Sequence, residues 1–342
     1  MKKLLTLALA LVLVLSVASA SAVTLKLSEV HAEGYPTTLA DQEFARLVEE
    51  KTEGRIKIEV YSGGTLYGEE TGAIEALQLG DLAFSRVSAS PVSSYVPAMN
   101  AIQMPYIYKN ADHMWAVLDG EIGQNMLAEV QASGSGLVGL CWYDAGARSY
   151  YTNKPVTCVA DLKGLKIRMQ NNKMMVAMTN VLGGVGVTGI GPNEVYSAIS
   201  QGTIDGAENN WPTYQNMGDY EAAPYYCLDM HTMVPEVLLA SEAVLADLDP
   251  ADVEIIKQCA KETQEYEKQK WAEKEASSEQ IVREAGATIT ELTPEAYAEF
   301  QAAMTTPVTG VEGIDDGKSL YEMYGAAYQD VIDAITAVGA NF

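Results

Sequence analysis

The 342-residue chain has little of what builds metal, redox or nucleophilic centres. Its four cysteines, Cys141, Cys158, Cys227 and Cys259, lie far apart, with no CxxC or CxxH spacing to mark a zinc or dithiol site. Singly buried thiols or one or two disulfides both fit cysteines dispersed in this way. The three histidines, His31, His113 and His231, lack a second ligand two or four residues on, so no metal site is expected. There is no G-x-S-x-G elbow, which leaves for a hydrolase only a triad assembled from distant positions. Basic charge is scarce as well. Against 46 Asp and Glu stand 22 Lys and Arg, a formal net charge of -24. That balance excludes the basic footprint that nucleic acid or an anionic membrane requires. It also sets a problem, because an anionic ligand would be repelled by the global field and must be held by a few locally placed cations. Past the first residues no apolar run is long enough to span a bilayer. No short-period repeat or low-complexity segment occurs.

What is present starts at the N-terminus. Met1, Lys2 and Lys3 precede an apolar run from Leu4 to Val17, followed by the small residues Ala18, Ser19, Ala20, Ser21 and Ala22. A charged start, a greasy core and a small-residue cleavage site are the order of a secretory signal. The core, about 14 residues, falls short of the roughly 20 of a spanning helix. Residues 1–22 are therefore expected to be a cleavable signal peptide, and the mature chain periplasmic or extracytoplasmic. The remaining length suggests two domains.

Along the mature chain the hydrophobic period alternates between strand and helix. Strands are expected over Val23–Val30, Arg55–Tyr61, Leu82–Phe84 and Leu137–Tyr143, with helices over Thr37–Lys51 and Thr71–Leu79. A second run follows: strands over Leu165–Met169, Val185–Gly189 and Thr203–Asp205, with helices over Asn172–Leu182 and Asn193–Ser200. Two successive runs of this grammar predict an α/β protein of two doubly wound domains. From Pro250 to about Ala285 sparse apolar residues at helical spacing predict one long helix, able to bridge the domains or pack along both. Gly184, Gly186 and Gly189 satisfy G-x-G-x-x-G, yet they follow a helix and enter a strand. A pyrophosphate site needs the reverse order, so the glycines read as a helix stop and no nucleotide or other cofactor is expected.

Three segments put a cation or an amide where a strand ends, the place where open α/β sheets bind ligands. Arg148 follows a glycine-containing crossover after the strand ending at Tyr143. Arg168 alternates with Leu165, Ile167 and Met169 at the end of its strand, a costly position unless an anion meets it. Asn209 and Asn210 precede Trp211 after the short strand at Thr203–Asp205. Arginine's planar fork matches a carboxylate bidentately, so two such residues could hold an acid inside an acidic protein. The competing reading of each arginine is an internal ion pair, such as Arg148 with Asp144 or Arg168 with a helix carboxylate.

Those three segments, in that order, resemble the solute-binding subunits of tripartite ATP-independent periplasmic (TRAP) transporters, the DctP family. Glu49 through Lys57, Met104-Pro105-Tyr106-Ile107-Tyr108, Leu118 through Gln124, Glu194 through Ala198 and Asp205-Gly206 carry the resemblance over nearly the whole mature chain. It implies a periplasmic-binding-protein-like clamp hinged at crossing segments, with the ligand in the cleft and the long helix spanning both domains. Residues 23–146 with about 235–275 would form domain I, and 147–234 with about 276–342 domain II. By that resemblance Arg168 holds the ligand carboxylate, Arg148 supplies a second cation and Asn209 an amide. The partners would be the small and large membrane subunits, with no nucleic acid and no catalysis. Where some members that bind bulky polyhydroxylated acids carry an acidic residue after the third strand, this chain has Ser85-Arg86-Val87-Ser88, so Arg86 adds a possible third cation near Ser88. Glu69, His31, Asn171, Glu208 and His231 are candidates for hydroxyls, and Trp211 and Tyr150 for a flat apolar wall. The set looks like members that bind hexuronates such as glucuronate or galacturonate. A C4-dicarboxylate or keto acid, and a sensing rather than a transport role, stay open.

Overall fold

The computed structural model describes residues 22–342; the leader read at residues 1–22 lies, apart from Ala22, outside the described residues. Two sheets organise the chain. The first contains β1 (Val23–Ser28), β2 (Ile56–Tyr61), β3 (Phe84–Ser88), β4 (Leu137–Tyr143) and β11 (Glu236–Ser241), in the order β2-β1-β3-β11-β4. In β1, Leu25 and Leu27 are buried while Thr24 and Lys26 are exposed, the period of two that a half-buried strand demands. The helix Pro36–Lys51 covers that sheet with Phe44 and Val48, and Pro36 at its first turn gives up no helical hydrogen bond.

The second sheet is built from β5 (Ala147–Thr152), β6 (Lys166–Arg168), β7 (Val185–Val187), β8 (Gly206–Asn209), β9 (Tyr225–Cys227) and β12 (Thr288–Thr290). It runs in the order β12-β9-β5-β8-β6-β7, with β10 (Thr232–Met233) beside β5. Each sheet keeps parallel pairs, β1 with β2 and β3, and β6 with β7 and β8. Each also takes antiparallel strands where the chain arrives from the other half: β11 lies against β3 and β4, and β5 against β8 and β9. A strand entering from the opposite half runs back into the sheet from its open end, which reverses its direction. The crossings are short, Asp144–Gly146 and Val234–Pro235. Gly146 has φ 56°, and the space a side chain would need is taken by Glu275 of the long helix.

Two boundaries differ from those the sequence predicts. Residues Thr203–Asp205 form a turn, and the strand is Gly206–Asn209 instead. The Asp205 carboxylate accepts from the Lys166 backbone N–H (2.9 Å) and so ends the turn locally, while Gly206 sits against the Tyr151 backbone where a Cβ would clash. The third strand is also longer, because Ser85, Arg86 and Ser88 are buried in it despite being polar.

The long helix runs Pro250–Glu284, capped by the Asp249 carboxylate on the Ala251 N–H (2.8 Å). At 35 residues it reaches about 52 Å. Its first part packs on the helix Pro36–Lys51 and on β4, and its later part on the helix Trp211–Asn216, so it spans both halves. Beyond it, the helix Pro294–Thr305 packs beside Lys173–Val181 in the second half. The helix Gln329–Val338 instead returns to Ala111–Asp119 and Glu121–Ala132 in the first. A boundary that gives all of 276–342 to the second domain therefore misses the amphipathic tail, whose Ile332 and Ile335 are buried beside Met114 and Leu118. No helix among the described residues is long and apolar enough to cross a membrane.

Candidate functional site

Strand ends from both sheets converge on one crevice enclosing about 510 Å³, part of it open to solvent. From the first half come His31 after β1, Glu69 and Glu70 at the start of the helix Glu70–Leu79, Arg86 and Ser88 of β3, and Glu236 opening β11. From the second come Arg148 of β5, Arg168 ending β6, Gln170 and Asn171 after it, Asn209 ending β8, and Thr213. Contacts across the opening join the halves. Tyr35 Oη lies 2.9 Å from Thr213 Oγ1, Asn171 Nδ2 donates to Glu69 Oε2 (3.1 Å), and Asn193 Nδ2 donates to the Val30 carbonyl (3.4 Å).

The three arginines are in different states. Arg86 is fully buried and crowded with acids. Its Nε donates to Glu29 Oε2 (2.8 Å) and its Nη2 to Glu29 Oε1, its Nη1 donates to Glu70 Oε1 (2.7 Å), and Glu236 Oε2 stands 2.9 Å from Nη1. Nη2 also lies 2.7 Å from His31 Nδ1. The same Nδ1 lies 3.0 Å from Glu29 Oε1, so the imidazole stands between the guanidinium and its carboxylate. Burial, reinforced by Arg86, lowers the His31 pKa, which keeps the ring neutral. Burial alone would raise Glu29, but Arg86 and His31 together hold it well below the usual carboxylate range.

Arg148 is also committed. Its Nε and Nη2 donate to Glu208 Oε2 (2.5 Å) and Oε1 (2.9 Å), Nη2 donates to the Glu208 carbonyl (2.8 Å), and Nη1 donates to Asn209 Oδ1 (2.9 Å). Behind it, Glu208 Oε2 lies 3.3 Å from His231 Nε2, and His231 Nδ1 lies 2.8 Å from Asp229 Oδ2. Against the effect of burial, Asp229 and Glu208 push His231 up to about 9, so the ring is charged at neutral pH. The second wall is thus an alternating row of cations and anions that cancels itself.

Arg168 differs. It is 8 % exposed, its Nε donates to the Ile190 carbonyl (2.9 Å), and no other hydrogen bond or ion pair to it occurs among the described residues. Burial, opposed by Glu208 and reinforced by Arg148, pulls its pKa down from the usual guanidinium value. A carboxylate meeting its two terminal nitrogens would supply both the charge and two parallel hydrogen bonds.

Of the residues singled out in the sequence, Arg168, Arg148, Asn209, Glu69, His31, Arg86, Ser88 and Asn171 border the crevice. Glu208, His231, Tyr150 and Trp211 do not. Glu208 and His231 stand behind Arg148, and Tyr150 is buried with its hydroxyl 3.1 Å from Thr179 Oγ1. Trp211 is stacked on Tyr226 at 4.0 Å, on the far side of β8. His31, which does border the crevice, is stacked on the buried Tyr35, centroids 3.8 Å apart. The internal partner of Arg148 is Glu208, while Asp144 accepts from the Trp115 indole (2.7 Å) and caps the crossover at Gly146 N (2.8 Å). Sequence reasoning missed Glu29, Glu70, Gln170 and Glu236. An acid opening the otherwise apolar stretch Glu236–Ser241 was visible by the same logic that singled out Arg168.

Residues 27–311 match the family model described as bacterial extracellular solute-binding protein, family 7 (DctP). A solute-binding protein of Chromohalobacter salexigens is 38% identical over 276 residues, covering 80% of each chain. A TRAP periplasmic solute binding protein from Pseudomonas putida F1, solved with bound D-glucuronate, is 35% identical with a TM-score of 0.84 over 92% of this chain and 97% of the other. One from Xanthobacter autotrophicus Py2, solved with bound β-D-galacturonate, is 36% identical with a TM-score of 0.83 over 92% and 99%. With two domains, a crevice at their strand ends and a helix spanning both, the chain belongs to the DctP family of solute-binding proteins that serve TRAP transporters.

Proposed function

We propose that this protein captures a sugar acid of the hexuronate class, with one carboxylate and a ring of hydroxyls, and delivers it across the periplasm to the membrane subunits of a TRAP transporter. The observation that carries the reading is the charge balance of the crevice. Arg86 and Arg148 are consumed by Glu29, Glu70 and Glu208, which leaves Arg168 as the guanidinium with free nitrogens among the described residues. One open cation suits one carboxylate. A C4-dicarboxylate would bring its second charge against Glu70. The remaining wall is polar and neutral, suited to hydroxyls. Arg168 holds the carboxylate, and Asn209 and the remaining N–H of Arg148 assist. Asp144–Gly146 and Val234–Pro235 serve as hinges, and the ligand closes them by touching both walls. The protein performs no reaction on its cargo, and residues 1–22 serve as its export signal. Calorimetry against D-glucuronate, D-galacturonate, succinate and pyruvate tests the reading. A uronate should bind at least tenfold tighter than succinate. Succinate binding as tightly as any uronate would sink it.

A further inference from the structure

Two oxygens on the crevice wall accept no hydrogen bond among the described residues. Gln170 Oε1 and Glu236 Oε2 are each buried without a hydrogen bond, although both residues border the crevice, one after β6 of the second sheet and the other opening β11 of the first. Around them the polar groups are matched. Glu70 accepts from Ser88 N (3.0 Å) and Arg86, Glu69 accepts from Asn171, and Asn209 accepts from Arg148. Arg86 Nη1 stands near Glu236 Oε2 but aims its hydrogen bond at Glu70. A buried acceptor without a donor is costly and is rarely left so unless something else completes it.

We propose that Gln170 and Glu236 read the ligand's hydroxyls, one from each wall, and so select polyhydroxylated acids over acids of the same charge with bare carbon frames. The inference rests on the sugar-acid reading of the site. The groups around Glu236 are Arg86 from β3, Glu70 from the helix Glu70–Leu79, Glu29 after β1, Tyr35, Glu267 of the long helix and Arg148 from β5. Burial pushes its carboxyl up to about 8 in spite of Arg86, with Glu70 and Glu29 adding to the rise, so at neutral pH it holds a proton. A neutral carboxyl both donates and accepts, as a sugar hydroxyl requires, and brings no charge against the ligand's own. Gln170 has the same double capacity through its amide.

The test compares D-glucuronate and D-galacturonate with tetrahydropyran-2-carboxylate, which keeps the ring and the acid and lacks the hydroxyls. Affinities come from calorimetry or ligand-induced thermal shift, on proteins whose circular dichroism melts show them folded. Glu236→Leu should weaken uronate binding about thirtyfold and Gln170→Leu about tenfold, with changes under threefold for the hydroxyl-free acid. Glu236→Gln should recover most of the loss, because it restores donor and acceptor. If Glu236→Leu does not fold, the glutamine variant decides through pH. Wild-type affinity should fall above about pH 8 as the carboxyl ionises, and the variant should fall less, with His231 titrating equally in both. Uronate binding within threefold of wild type in both leucine variants, equal losses for both kinds of acid, or matching pH profiles would overturn the inference and leave the sugar-acid reading standing. A wild-type protein that binds no uronate would overturn both.

Discussion

The two walls of the crevice use the same residue type in opposite ways. On the first, Arg86 is enclosed by Glu29, Glu70, Glu236 and His31 and has nothing left to offer a ligand. On the second, Arg168 spends one N–H on the Ile190 carbonyl and keeps its fork open. One arginine is spent on the fold and the other keeps its terminal nitrogens unpaired among the described residues. The net charge of -24 therefore says nothing about whether the protein takes an anion. What decides is which buried cation lacks an internal partner.

The contrast breaks most sharply on stability. Arg86→Met leaves three acids around a vacated centre and should lower the unfolding free energy by about 3–5 kcal/mol, read from denaturant titration. A loss under about 1 kcal/mol would mean that the acids simply take up protons, and the two walls would no longer differ in kind. Arg168→Ala should do the reverse. Affinity for the cognate acid falls about a hundredfold or more by calorimetry, while the ligand-free protein melts no lower than wild type, since an uncompensated buried charge has been removed.

A pH titration of stability sharpens the comparison further. Burial raises Asp219 to about 6, Glu275 to about 7 and Glu236 to about 8, and Asp229 and Glu208 raise His231 to about 9. The folded chain thus binds more protons than the unfolded one through this window. Stability should fall as pH rises, with the His231 contribution complete below about 6.5 and gone past about 9. At the acid end the sign reverses. Burial opposes it, but Arg148 and His231 hold Glu208 down to about 2, so its contribution is present above the ordinary carboxylate value and lost as pH falls through that point. Melting should therefore be highest on the acid side of neutral and fall steadily toward pH 9. A peak at pH 8 would contradict the proton count. The smallest effect concerns the bridge between the walls. Tyr35→Phe removes the contact with Thr213 Oγ1 and should cost about 0.5–1.5 kcal/mol of binding, a loss of no more than about tenfold by calorimetry.

Much of the fold was legible because hydrophobic period carries it. Leu25 and Leu27, Phe44 and Val48, and the long helix from Pro250 to Glu284 all announce themselves by spacing. The β3 strand was read short because Arg86 sits inside it, and no local pattern reveals that Glu29, 57 positions earlier, neutralises it. The return of Gln329–Val338 to the first half was hidden for a related reason, since an amphipathic helix says that it packs but not on what. Within the site, Arg168 and Arg148 were visible as cations at strand ends. Their different states were not, because Glu208 and Ile190 reach them only through the pairing of β5, β6 and β8. Gln170 escaped notice since a lone amide in a sequence is indistinguishable from a solvated one; Glu236 stood out only as an acid opening an apolar stretch.

The place of β11 has a consequence for how the molecule comes into being. It lies between β3 and β4, and its first residue pairs with Ser88, so the first sheet has a gap in its middle until the chain is complete past Ser241. The second half must be threaded before the first can close. Pairings so distant in sequence form slowly. Neither half can lock into its finished shape until the chain has been made past Ser241.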